Sequence, residues 1–108
     1  MSSVYELIGE AMSTTFIAKL VVQAGKEAEF ERLQSELSQL THDTEPDVLV
    51  YDVIKHRTEP STYVVYGRFR SDAAFQSHMK VDFHERLVPG ILACLSGEMD
   101  LQFFDWVA

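Results

Sequence analysis

The chain has 108 residues, of which 46% are hydrophobic and 11% aromatic, which is enough for one buried core and too little for two. Its formal net charge of −8 repels phosphate backbones and anionic bilayers, so nucleic-acid and membrane-surface roles are set aside. The single cysteine, Cys94, lies in an apolar run. Met1 to Leu7 form no basic-then-apolar leader and no apolar stretch is long enough for a bilayer, so a cytoplasmic protein is expected.

Residues 1–13 are weakly patterned and are read as an N-terminal arm to a single domain over 14–108. From Thr14 to Ala24, Phe16, Ala18, Leu20 and Val22 alternate with Ile17, Lys19, Val21 and Gln23, the period of a strand with one richer face. After Gly25, Phe30, Leu33, Leu37 and Leu40 recur at three- and four-residue spacing, which predicts an amphipathic helix; Glu27, Glu31 and Ser35 read as its solvated edge. Pro46 disfavours helical geometry at Glu45 and ends that helix near Thr44.

Val48 to Ile54 and Tyr63 to Phe69 form a predicted hairpin whose strands are apolar on both faces. One helical layer covers one side of such a sheet, so the other is expected to pack on a second copy of the chain. Asp52 and Arg68 interrupt these strands and are expected to form a cross-strand ion pair. Ser71 or Asp72 then caps a helix that carries Ala74, Phe75, His78 and Met79 on one side. A break over Lys80 to Asp82 precedes a second apolar stripe of Phe83, Leu87, Ile91 and Leu95. Pro89-Gly90 is expected to kink or interrupt this piece and Gly97 to stop it. The alternating tail Met99 to Val107 closes the order β-α-β-β-α-(α)-β, an α+β, ferredoxin-like antiparallel arrangement.

His78, beside Phe75 and Met79, is either a core histidine bonded once or a general base. His78 and Asp82 stand four apart, half a metal site with no further ligands at suitable spacing, so no metal is expected. His84, between Asp82 and Glu85, reads as a hydrated helix edge, and His42 and His56 as exposed. Tyr66 and Trp106 are chosen as pocket walls, because a planar aromatic ligand needs flat faces with polar tips. No Ser-His-Asp order, glycine-rich phosphate loop or Cys-x-x-Cys pair is present.

Ala24-Gly25-Lys26-Glu27-Ala28-Glu29-Phe30, Thr44-Glu45-Pro46 with Tyr51, and Ser71-Asp72-Ala73-Ala74-Phe75 followed by His78 together resemble the antibiotic biosynthesis monooxygenase type of dimeric α/β barrel. The resemblance runs over roughly Phe16 to Val107. It implies a homodimer packed through sheet faces and a cofactor-free oxygenation of a small aromatic, hydroquinone-type substrate by dioxygen. His78 would be the catalytic residue, and Tyr51, Tyr66, Phe83, His84 and Trp106 would contact substrate. A non-catalytic dimeric ligand-binding or interaction domain, or an isomerase on the same fold, are the alternatives.

The chain also departs from that pattern. Phe83-His84 inverts the usual His-Phe order, which would turn the second imidazole about 100° away on a helix. Gly67 stands where a hairpin glutamate is frequent, Asp47 replaces the glycine after Glu-Pro, and the first strand lacks an asparagine.

Overall fold

The computed structural model describes residues 13–108. The expected arm therefore lies, but for Ser13, outside the described residues. Strand β1 (Thr14–Val21) buries Phe16, Ala18 and Leu20 and turns Ile17, Lys19 and Val21 outward, as its alternation requires. Gly25, at φ 91°, turns the chain into helix α1 (Glu27–Thr44), which buries Phe30, Leu33 and Leu37 and also Gln34 and Thr41.

Glu27 and Glu31 are more than a solvated edge. Glu27 accepts from the Ser61 hydroxyl and Glu31 from the Tyr63 hydroxyl, and the two carboxylates tie α1 to the hairpin. Pro46 ends the helix as expected. Glu45 leaves helical geometry (φ −119°, ψ 88°), while its N–H still donates to the Thr41 carbonyl at 3.0 Å.

Strands β2 (Val48–Lys55) and β3 (Thr62–Phe69) pair antiparallel, with Tyr51 opposite Gly67 and Asp52 opposite Tyr66. Ser71 caps helix α2 (Asp72–His78) by accepting from the Ala74 N–H at 3.1 Å. Helix α3 (Asp82–Ala93) follows a short turn, and strand β4 (Asp100–Asp105) returns antiparallel to β1.

Two expectations about this last third are corrected. Helix α3 runs through Pro89 to Ala93 instead of breaking there, and Gly90 lets Leu33 approach, since a Cβ at Gly90 would lie 3.1 Å from Leu33 Cδ1. The helix also ends before Gly97. Gln23 N–H and Ser96 N–H bond to the Cys94 and Val21 carbonyls, drawing the chain out beside the end of β1.

The sheet order β2-β3-β1-β4, antiparallel throughout, with the helices on one side, is the ferredoxin-like α+β fold. Phe16, Tyr51, Tyr63, Val65 and Phe69 form the core beneath the helices. Among the described residues no element covers the other side, where Ile54 is 59% and Phe104 45% exposed. Arg68 and Asp52 lie on that open side but do not pair. Asp52 Oδ1 is 3.3 Å from His42 Nε2, and the Arg68 guanidinium stacks 3.5 Å from the Trp106 ring centroid. Register accounts for this: Arg68 stands opposite Val50, leaving Asp52 only a diagonal neighbour.

Candidate active site

Pro46 sets the geometry of the site. By forcing Glu45 out of α1 it brings the Glu45 carboxylate to the C-terminal end of α2, where Oε2 meets His78 Nδ1 at 2.9 Å. His78 is 1% exposed and Glu45 12%, so the pair is almost wholly removed from water. The carboxylate accepts from Nδ1–H, which puts the lone pair of a neutral imidazole on Nε2. Nε2 is buried and has no hydrogen-bond partner among the described residues.

His78 lines a cavity of about 250 Å³ between the sheet and helices α1, α2 and α3. Phe16, Leu37, Val65 and Ile91 make its walls apolar, and Gln34, Tyr51 and His84 add polar tips. The Tyr51 ring lies 4.8 Å from that of His78. Burial pushes the Tyr51 phenol up to about 12, with the neighbouring Gln34 side chain opposing the effect and the charge of Glu45 adding to it. The phenol is therefore protonated and able to donate at neutral pH.

His84 is not a hydrated edge. It is half-buried, lines the same cavity, and packs edge-on to His78 with ring centroids 4.9 Å apart. Burial first, and then the charge of His78, hold the His84 imidazole down at about 4, so it is neutral near pH 7. The inverted Phe83-His84 order does not turn the second imidazole away from the first. Because α2 ends at His78 and α3 begins at Asp82, the turn between them brings the second imidazole back against the first.

The structure thus gathers Tyr51, His78 and His84 at one cavity. Phe83 packs against the core beside it without lining it. Tyr66 and Trp106 are on the open side of the sheet, away from His78: Tyr66 pairs with Ile17 and Asp52, and Trp106 lies under Arg68. Glu45 and Gln34 were not anticipated as site residues. Pro46 was a usable signal for the first; Gln34, a polar residue one place after Leu33 on the buried stripe, gave a weaker one for the second. Among the described residues no group of three or more His, Cys, Asp or Glu side chains is arranged to hold a metal ion. No described helix is long and apolar enough to cross a membrane.

Comparison with known proteins gives this geometry a family. The antibiotic biosynthesis monooxygenase pattern matches residues 14–89, well over half of the chain. The chain belongs to the antibiotic biosynthesis monooxygenase family. Among solved structures it is similar to a candidate antibiotic biosynthesis monooxygenase from Caulobacter crescentus CB15, with 26% identity, a TM-score of 0.86, and 97% of this chain and 99% of that one covered. Another structure described as an antibiotic biosynthesis monooxygenase has 25% identity and a TM-score of 0.81, covering 88% of this chain and 99% of that one. A conserved protein from Methanosarcina mazei Go1, at 19% identity and TM-score 0.84, covers 92% and 97% and shares the fold. No curated protein matches the sequence significantly. The family match ends at residue 89, so the cavity wall formed by Ile91, Leu92, Met99 and Leu101 lies beyond it.

Proposed function

We propose that this family member is a cofactor-free monooxygenase of a small hydroquinone-type aromatic, working in the cytoplasm as a homodimer joined through its open sheet faces. The observation that carries the reading is the buried Glu45–His78 pair in the wall of an otherwise apolar cavity. A carboxylate that fixes the Nδ1–H tautomer leaves Nε2 as the acceptor for a substrate hydroxyl proton. The resulting electron-rich anion passes an electron to dioxygen, and the radical pair combines at ring carbon. One oxygen atom stays on the ring and the other leaves as water, so hydroquinone plus O2 gives hydroxyquinone plus H2O. All four electrons come from the substrate: two from its oxidation to the quinone level and two from C–H to C–OH.

The cavity size, just under the roughly 300–1,000 Å³ of ordinary ligand pockets, suits one small planar molecule. The unpaired, buried Cys94 supports a reducing compartment. Oxygen uptake by the metal-free protein against a panel of hydroquinones, with His78→Phe alongside, tests the reading. Uptake lost in a folded variant supports it, and uptake equal to the wild type removes His78 from the chemistry.

A second reading has its own observation. His78 Nε2 is covered by protein, which suits a structural imidazole in a non-catalytic small-ligand binding domain. Ligand binding without oxygen uptake across the panel favours that alternative.

A further inference from the structure

Four of the side chains that line the cavity, Met79, Leu92, Met99 and Leu101, are also exposed to solvent, and together they form its mouth. They come from separate parts of the chain. Met79 follows His78 at the end of α2, Leu92 lies on the last turn of α3, and Met99 and Leu101 stand at the start of β4. A guest that enters the apolar interior passes over these side chains, so their polarity governs entry. Exposure also sorts the sulfur-bearing residues among the described ones: Cys94 is 3% exposed, whereas Met79 is 44% and Met99 37%. The thiol is shut in the core, and both thioethers belong to a partly solvated rim that a small oxidant reaches.

We infer that Met79 and Met99 are a paired site of reversible oxidation by hydrogen peroxide, and that their sulfoxides turn apolar guests away from the cavity. A sulfur lone pair attacks one oxygen of the peroxide; an S–O bond forms, the O–O bond breaks, and after a proton shift the other oxygen leaves as water. Sulfur gives up two electrons and the peroxide takes them, so thioether plus H2O2 gives sulfoxide plus H2O. The product replaces a flexible apolar side chain by a polar one whose oxygen accepts hydrogen bonds from water. An apolar guest seated across the mouth strips that water, and the two leucines there have no donor to replace it. The inference rests on the cavity admitting an apolar guest, the one element it shares with the functional reading, and not on the oxygenase chemistry.

Toluene, a small neutral aromatic with no hydrogen-bonding group, is the probe; its binding to the full chain is measured by calorimetry before and after peroxide, with peptide mass mapping of each sulfur. Met79 and Met99 are each expected to gain one oxygen while Cys94 stays unchanged, and toluene affinity to fall about tenfold or more, the effect of one polar group left unmet. Methionine sulfoxide reductases of both stereospecificities are expected to restore it. The double variant Met79→Leu, Met99→Leu, close to the wild type in volume, is expected to bind toluene and to keep its affinity through the same treatment. It retains Met1 and Met12 and so controls for them. Thioethers left intact under conditions that convert free methionine overturn the inference. So do an oxidised protein with unchanged affinity, an equal loss in the double variant, and an unmodified protein that binds no toluene. Oxygen uptake is no part of this readout: a redox response without uptake leaves the inference standing while the monooxygenase reading fails, and uptake without the response does the reverse.

Discussion

Glu45 Oε2 lies 2.9 Å from His78 Nδ1, a contact between residues 33 apart in the chain that joins the end of α1 to the end of α2. On its outer side Glu45 borders a surface cleft shared with Asp47, Ser71 and Ser77. Glu45→Gln keeps the shape but removes the charge that fixes the Nδ1–H tautomer. Oxygen uptake with hydroquinone is expected to fall about 10²-fold or more while the far-UV spectrum is unchanged. Glu45→Ala additionally leaves a buried donor unmet and is expected to lose about 1–3 kcal/mol in urea unfolding. Full activity in Glu45→Gln would reduce the pair to a structural contact.

Gly67 faces the Phe16 ring across the sheet, and a Cβ built at Gly67 would overlap Phe16 Cε2 and come within 2.9 Å of its Cζ. The ring is packed among aromatic neighbours and borders the cavity. It stacks on Phe69 at 5.9 Å and meets Phe75 and Tyr51 at 6.2 Å. Gly67→Ala is expected to destabilise the fold by about 1–3 kcal/mol, the usual cost of overpacking, and Gly67→Glu by more. Urea melts of the two variants measure this. The hairpin glutamate frequent in the family is sterically excluded here by Phe16 in its present position.

Much of this architecture was legible because it is written in local periods. The alternation around Phe16, Ala18 and Leu20, the stripe of Phe30, Leu33 and Leu37, and the Ser71 cap each fix an element without reference to the rest of the chain. The site was less legible because it is made of crossings between elements. Residue parity and strand register together put Tyr51 on the helix side and Tyr66 on the other, whereas aromatic character suggested Tyr66 and Trp106 as pocket walls and Tyr51 came only from the family resemblance. His84 reaches His78 only because Lys80 and Val81 separate two helices, a turn that periodicity hinted at without giving its angle. Glu45 was visible as the residue before Pro46, yet its partner depended on where α2 would end.

His84 makes stability depend on pH in a defined window. The unfolded imidazole binds a proton near 6.5, while burial and His78 hold the folded one down at about 4. Between these values the unfolded chain carries a proton that the folded chain does not, so stability falls as pH drops from about 6.5 to 4. Above about 6.5 both forms are neutral and the residue contributes no slope. His84→Phe is expected to flatten this part of the curve relative to wild type in urea melts taken from pH 4 to 7. Carboxylates titrate in both proteins, so the difference between the two curves is the readout, and parallel curves would mean that His84 charges as readily folded as unfolded.

The open side of the sheet carries Ile17, Val21, Ile54 and Phe104 as exposed apolar side chains, flanked by the stacked Arg68 and Trp106. Such a surface on strands whose opposite face is already filled calls for a partner layer, and a second copy supplies one with the same pattern. Phe104 lies on the edge strand β4 opposite Thr15 of β1, on the same open face as Ile17, so a charge placed there borders the apolar patch. The wild type is expected to sediment as a dimer. Phe104→Lys is expected to weaken association at least about tenfold, the effect of losing one anchoring side chain, and to leave the monomer folded because the side chain takes no part in the core. Sedimentation equilibrium with circular dichroism separates the outcomes. A folded variant that associates as tightly as the wild type would mean that the subunits, if they pair, do so through another surface, and Ile54→Lys would then be equally silent.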